Sequence, residues 1–396
     1  MAAPVVIVGA GIAGLTTALC LARTGRASLV VERAADLAEV GAGIQISPNA
    51  AHVLTGLGLA DRLDERGVRI ASVRVADAAT GAVVGDLALG DTVAARHGAP
   101  YWNLHRADLL AVLAEAARAD PAVEIRLATT VEAAADGGGA LDVRLSDGTT
   151  VSAALLVGAD GVRSDVRTRL MGGAPARYSG KAAFRATVPA EALPAARRAD
   201  LLNETRLWMG PRRHLVHYPL EARTSFNIVA IFETPWPEAP WDVQATPAEV
   251  RETFGGFPRA VTDLLALPDR WRKWALSAVD PSGDWVKGRI ALVGDAAHAM
   301  LPTAAQGGAM AIEDAAVLAD ALARKADVVA ALAAYAAARK PRVRRVVDTA
   351  ARNVAVYGLG GLAATARNAA IRLMGERGMA ARTDWIYGWK PPSRFL

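Results

Sequence analysis

The chain has 396 residues, a formal net charge of +5 and one cysteine. The length leaves room for two or three packed subdomains, and Cys20 alone excludes an intrachain disulfide and a cysteine-built metal site, so no metal is expected. The charge is spread without a dense Lys/Arg block interleaved with aromatics, which argues against nucleic acid as a partner and suits a small acidic ligand.

Val5 to Val8 is a short apolar run, the pattern of a strand covered on both faces. Because it begins almost at Met1, no signal peptide is expected. No apolar run reaches membrane-spanning length, so no membrane span is expected and the location reads as cytoplasmic. Gly9-Ala10-Gly11-Ile12-Ala13-Gly14 then opens a helix through about Arg23, and Val30 and Val31 form a second strand ending at Glu32-Arg33. Strand, G-x-G-x-x-G, helix, strand and an acidic residue about twenty positions on make the dinucleotide fingerprint in its required context. Gly9 allows the tight turn, Gly11 the approach of a pyrophosphate and Gly14 the packing of helix on strand. Glu32 would bond a ribose 2′-OH and repel a 2′-phosphate, so NADP is not expected in this site. The fingerprint does not choose between FAD and NAD.

Val40 to Ala51, VGAGIQISPNA, reads as a loop because of its close glycines and Pro48-Asn49. Gln45 or neighbouring backbone, Gly43 included, either lines a cofactor there or the glycines merely serve the turn. Ala51 to Leu63 reads as a helix, and Ile70 to Leu89 as a hairpin about Gly81 that starts a second subdomain. Leu104 to Leu110 begins a helix running to about Ala119. Arg106 lies near its start, where a cation opposes the helix dipole unless it serves an anion or polar ligand. Strands surround the turns at Gly137-Gly138-Gly139 and Asp147-Gly148, and Thr129-Thr130-Val131 falls where a chain edge could pass an adenine. Leu155 to Val157 runs through Gly158-Ala159-Asp160-Gly161-Val162-Arg163-Ser164 into a helix, Asp165 to Leu170, capped by Ser164.

Phe184 to Val188, Leu215 to Tyr218 and Ser225 to Phe232 read as strands of an antiparallel sheet. Pro235 to Pro247 reads as a surface connection and Val250 to Leu267 as a helical excursion. Positions two apart on a strand share a face, so His214 and Tyr218 point one way and His217 the other, as a structural residue. Arg289 to Ala315 gives a buried strand, Ile290 to Val293, ended by Gly294-Asp295. A loop broken by Pro302 follows, then Gln306-Gly307-Gly308 leading into a helix, Ala309 to Leu322. Strand, loop and helix N-terminus form an anion-accepting corner, with Asp295 placed to accept from ligand hydroxyls and His298 read as orienting backbone. Beyond Ala337 the basic run Arg339 to Arg345 reads as a solvated helix face and Pro341 as a helix start. Val343, Val346, Val347, Ala350 and Val354 are spaced for one apolar face.

Taken together, GAGIAGL with Glu32-Arg33, Arg106, GADGVRS, and LVGDAAH with AQGG resemble, in that order and spacing, the group A FAD aromatic hydroxylases. The resemblance spans nearly the whole chain. It is nearest to the salicylate and 3-hydroxybenzoate hydroxylases, through the GAG-x-Q-x-x-PN loop, Phe184-Arg185-Ala186-Thr187-Val188-Pro189 and Asp384-Trp385-Ile386-Tyr387-Gly388. It implies an α/β fold in which a Rossmann-like FAD-binding domain (1–72, 98–180, 277–340) interleaves with a mainly antiparallel-sheet substrate domain (73–97, 181–276), followed by C-terminal helices (341–396), as in p-hydroxybenzoate hydroxylase. It also implies FAD as cofactor, NADH or NADPH and O₂ as cosubstrates, and hydroxylation of a phenolic aromatic acid through a flavin hydroperoxide by a monomer or homodimer. FAD contacts are implied for Gly9, Gly11, Ala13, Gly14, Glu32, Arg33, Gly43, Gln45, Arg106, Val131, Asp160, Asp295, Gln306, Gly307, Gly308 and Ala309. His214 and Tyr218 fit the family's His/Tyr segment and Gln306 its pocket glutamine, so these three are the catalytic candidates. An imidazole with a pKa near 6.5 suits removal of a phenolic proton.

Rival readings are the same chemistry on a larger aromatic natural product or a hydroxynicotinate, and a flavin reductase without hydroxylation. Urate is disfavoured by Thr303, where the urate hydroxylases carry an aspartate.

Overall fold

The structure, a computed structural model, describes residues 3–37, 43–236 and 240–396. Two sheets organise it. The first has six strands, ordered Val286–Lys287, Ile290–Leu292, Leu155–Gly158, Val5–Val8, Ser28–Val31 and Val123–Arg126, all parallel except the short antiparallel edge at Val286–Lys287. Helices Ile12–Arg23, Arg106–Ala119 and Gly307–Arg324 pack around it. Covering on both faces explains why its strands read as unbroken apolar runs. A small antiparallel sheet, Thr150–Ala153, Leu141–Leu145 and Val131–Asp136, follows the Gly137 and Asp147 turns.

The second sheet has eight strands, ordered Asp242–Ala245, Trp271–Ala278, Arg177–Pro189, Ser225–Glu233, Arg213–Leu220, Glu204–Gly210, Ser72–Asp77 and Val83–Ala88. Every pair is antiparallel except Glu204–Gly210 with Ser72–Asp77. One face buries Phe184, Trp208, Phe226 and Trp271 beneath helices Pro247–Phe254 and Arg259–Leu265. The opposite face carries Ala183, Ile231 and Leu276, with Leu301 packed against them. That contact brings the sheet against the loop that follows strand Ile290–Leu292. Among the described residues no helix is long and apolar enough to cross a membrane.

Several local expectations need correction. Within the segment read as a loop, Val40 to Ala42 lie outside the described residues, but Gly43–Ile46 is a strand paired with Trp102–His105. Its four residues are too few to show a period. The expected helix Ala51 to Leu63 is two helices, Pro48–Gly56 and Ala60–Arg66, separated where Gly58 adopts φ +79. Pro341 lies inside a 30-residue helix, Val328–Tyr357, rather than at a start. Tyr335, Arg339, Val343 and Val346 are buried on both sides of it. Tertiary packing therefore carries the helix through a proline whose local cost is about 3 kcal/mol. The basic run is not wholly a solvated face either, since Arg339 is 1% exposed. The tail motif Asp384 to Tyr387 ends a helix, Gly361–Tyr387.

Candidate functional site

The carboxyl ends of Val5–Val8, Ser28–Val31 and Leu155–Gly158 open on a cleft of about 280 Å³. This is where parallel sheets of this kind take ligands. Gly14 packs so tightly on the strand turn that a Cβ there would lie 1.9 Å from the Gly9 carbonyl oxygen. A Cβ on Gly11 would meet nothing within 4 Å, because this residue borders the open cleft at the N-terminus of helix Ile12–Arg23. Glu32 is fixed by two backbone amides: Ala10 N–H donates to Oε2 and Ala34 N–H to Oε1, each at 2.9 Å. Those bonds aim the carboxylate while leaving lone pairs for further donors. Asp295 follows strand Ile290–Leu292, with Oδ1 3.9 Å from the position a Gly307 Cβ would take at the start of helix Gly307–Arg324. Two helix N-termini, the held carboxylate of Glu32 and the carboxylate of Asp295 fit the phosphates and hydroxyls of a dinucleotide.

Of the expected cofactor residues, Gly9, Gly11, Ala13, Glu32, Arg33, Arg106, Val131, Asp160, Asp295, Gly307 and Gly308 line this cleft. Burial raises the Asp160 carboxyl pKa, against hydrogen bonds from Ser164 and the Val166 amide. Five others stand elsewhere. Gly14 is the helix–strand contact, and Ala309 is fully buried behind the Gly307 turn. Gly43 lies under the ring of Tyr218, 2.4 Å from where its Cβ would be. Gln45 Nε2 donates to Asn103 Oδ1 and Thr205 Oγ1 at 3.2 and 3.3 Å, which turns it toward the large sheet. Gln306 is 2% exposed, donates to Ser47 Oγ at 2.9 Å and accepts from Asn49 Nδ2 at 3.1 Å. Its carboxamide is thus engaged in the interior. Arg163 and Arg169 line the cleft without having been singled out; both follow the Asp160-Gly161 turn.

The cleft is linked to one face of the eight-stranded sheet through strand Gly43–Ile46: Ile44 lines the cleft, while Gly43 lies against Tyr218 and its N–H bonds Asn227. Register places His214 opposite Ile231, Val216 opposite Val229 and Tyr218 opposite Asn227 on neighbouring strands, and Arg185 opposite Val229 one strand further. These residues share one face. His214 and Tyr218, four residues apart, are separated by about 13 Å along the strand, with Val216 between them. His214 is buried, its ring edge-on to Tyr357 at 5.4 Å between centroids. Burial, assisted by the Lys181 charge, lowers its pKa to about 4, so the imidazole is neutral near pH 7. Burial raises the Tyr218 hydroxyl well above the ordinary phenol range, against the pull of the Arg185 charge. His217 faces the other way, as expected. Trp208 Nε1 donates to its Nε2 at 3.1 Å within the apolar core.

Beneath the cleft lies an ion network with no sequence signature. Asp314 accepts from Gly294 N–H at 3.0 Å and Arg339 Nε at 2.7 Å, and meets His298 Nε2 at 2.6 Å. Burial favours its protonation, but His298 and Arg339 outweigh that and hold the carboxyl low. Glu313 accepts from Asn49, Arg339 and Arg342, at 2.6 to 2.7 Å. The network ties the Gly294 turn, the Asn49 helix and helix Val328–Tyr357 to helix Gly307–Arg324. His298 therefore acts through a buried carboxylate rather than on backbone directly. Partners 16 to 264 residues apart in sequence meet only in the fold, so no local spacing announces them.

A family model described as an FAD binding domain matches residues 2–350. The chain is 38% identical over 386 residues to 3-hydroxybenzoate 6-hydroxylase 1 of Aquipseudomonas alcaligenes, covering 97% of each chain. It is 38% identical over 344 residues to a 3-amino-4-hydroxybenzoate 2-monooxygenase of Streptomyces platensis, covering 86% of this chain and 85% of that one. Among solved structures, a salicylate hydroxylase substrate complex superposes with a TM-score of 0.84 at 25% identity, covering 99% of this chain and 97% of that one. With the fingerprint cleft and the fold agreeing, the chain belongs to the FAD-dependent aromatic hydroxylases, the flavoprotein monooxygenases that draw on NAD(P)H and O₂.

Proposed function

We propose that this chain hydroxylates a phenolic aromatic acid of the hydroxybenzoate class, with His214 at the phenol. The observation that carries the reading is the sheet face shared by His214, Val216 and Tyr218, where His214 presents a neutral imidazole. No hydrogen bond to that imidazole or to the Tyr218 hydroxyl forms among the described residues. Both relatives named above carry a ring hydroxyl and a carboxylate in their substrates' names.

Bound in the cleft, FAD supplies electron transfer from the nicotinamide and delivery of one atom of O₂ to the ring. Glu32 is assigned to the ribose hydroxyls, the amides at Gly11 and Gly307 to phosphate and ring oxygens, and Arg106 and Asp295 to polar edges of the cofactor. The lone pair of His214 accepts the hydrogen bond of the substrate hydroxyl and draws off its proton as the ring becomes electron-rich. A buried imidazolium is costly, so the proton stays on His214 only while negative charge develops beside it. Val216, Val229 and Ile231 line the sheet between the polar groups and exclude water. Tyr218 closes the far side, and Gln306 supports the Ser47–Asn49 corner from beneath rather than touching the ring. The division at 1–72, 98–180 and 277–340 keeps every strand of the parallel sheet in the cofactor-holding part. Strands Arg177–Pro189 and Trp271–Ala278 of the large sheet run across its edges.

The test separates the half-reactions. His214→Ala is expected to slow formation of hydroxylated product much more than substrate-stimulated reduction of the flavin under anaerobic conditions, both followed by stopped-flow absorbance. Equal slowing of both would remove His214 from the role.

A further inference from the structure

The sheet face shared by His214 and Tyr218 carries a surplus of donors at one end. Arg185 stacks its guanidinium on Trp274, 4.4 Å from the ring centroid. Its Nε is shielded from solvent and has no hydrogen-bond partner. Among the described residues Arg185 makes no ion pair, and the charges it feels are Tyr218 and another cation, Arg106. Burial lowers its pKa to about 10, yet it remains charged at neutral pH. Asn227 is fully buried on the same face, and its side-chain oxygen accepts from Gly43 N–H at 3.3 Å. That bond fixes the amide so that Nδ2 is the free end, and Nδ2 has no partner.

Arg185 sits opposite Val229, and Asn227 is two residues along the same strand. Diagonal neighbours of this kind lie about 7 Å apart, within reach of an arginine side chain. Buried donors without acceptors cost about 1 to 3 kcal/mol each, so their survival calls for a ligand rich in acceptors. A guanidinium stacked on an indole keeps its in-plane N–H groups free, which is the geometry that binds a carboxylate.

We propose that Arg185 and Asn227 form the seat for the carboxylate of the aromatic substrate, setting the end of the ring that lies away from His214. The proposal rests on the reading of the substrate as an aromatic acid and adds which residues recognise its charge. The sheet then reads the ligand by polarity. An acceptor waits for the hydroxyl at His214, donors wait for the carboxylate at Arg185 and Asn227, and valines lie between.

The experiment compares 3-hydroxybenzoate with its neutral isostere 3-hydroxybenzamide on the FAD-loaded protein, with dissociation constants read from the perturbation of flavin absorbance. The unsubstituted chain is expected to prefer the acid. Arg185→Gln should weaken the acid roughly 10- to 100-fold and leave the amide within about threefold. Asn227→Ala should weaken the acid by a smaller factor. Arg185→Lys keeps the charge and loses the fork, so it should give an intermediate loss for the acid alone; it decides the matter if the Gln variant retains less FAD. Acid and amide weakened alike, or a loss confined to the KM for NADH or NADPH, would overturn the seat while leaving the hydroxylase reading intact. If neither compound nor any other hydroxybenzoate perturbs the flavin of the unsubstituted chain, the aromatic-acid reading falls and the seat falls with it.

Discussion

Two histidines three positions apart on one strand end in opposite surroundings, because strand side chains alternate. His214 lies on the face proposed for the substrate, while His217 is buried with Trp208 and Phe226, where burial and then the Arg206 charge lower its pKa to about 3. Both imidazoles stay neutral in the folded chain at pH values where an unfolded histidine takes up a proton. Between pH 6.5 and about 4 the unfolded state therefore binds more protons, and stability falls as the pH is lowered through that window. Each group contributes up to about 1.4 kcal/mol per pH unit. His217→Phe should reduce the slope by about one group's share, measured by denaturant unfolding at pH 7, 6 and 5; an unchanged slope would show that His217 is protonated when folded. At the cofactor, Glu32→Ala removes the acceptor that Ala10 and Ala34 hold in place. The FAD dissociation constant should rise by about 1–3 kcal/mol in free-energy terms, and FAD retention unchanged through gel filtration would argue against the assignment. Glu32 stands out in the sequence as a candidate from its spacing to the glycines, and His214 from strand alternation and resemblance. Arg185 was visible only as part of a motif, because its lack of a carboxylate partner is a property of the folded face. Asn227 was not singled out.

Helices and strands were read well where a local rule governed them. The fingerprint strand and helix, Arg106–Ala119, and the paired strands Ser72–Asp77 and Val83–Ala88 follow from glycine position, period and turn chemistry. The reading failed where distant packing overrode local preference. Pro341 sits mid-helix because Arg339 anchors that helix to Glu313 and Asp314, both fully buried. This anchoring is also a liability. Removing one partner from a buried ion network leaves charge uncompensated and costs about 3–5 kcal/mol. Arg339→Met is therefore expected to destabilise the chain by that order in urea unfolding and to loosen FAD binding, because Asp314 also holds the amide of Gly294. Stability within about 1 kcal/mol of the parent would mean that the carboxylates are neutral or otherwise satisfied.

Across the whole molecule, the two sheets meet along the strand Gly43–Ile46. Its backbone covers Tyr218 and Asn227, and Gln45 reaches Thr205 on the large sheet. Gly43 is the only side-chain-free position of that strand. A Cβ there would lie 2.4 to 2.8 Å from two ring carbons and the hydroxyl oxygen of Tyr218. Gly43→Ala should displace that ring and weaken substrate binding at least tenfold, while FAD content is retained, since the cofactor cleft proper begins beyond it. Substrate binding unchanged by titration would show that the contact yields without consequence. The interleaving of the sheets explains why the proposed substrate residues are scattered from Arg185 to Ser225–Glu233. Sequence proximity gives a strand its face but not its partner. The measurement that bears most directly on the central claim is the stoichiometry of turnover with a panel of phenolic aromatic acids, with nicotinamide oxidation, O₂ uptake and product followed together. At least one acid is expected to give close to one hydroxylated product for each NADH or NADPH oxidised and each O₂ consumed. Nicotinamide oxidation unaffected by every acid, with all O₂ recovered as hydrogen peroxide, would contradict the account.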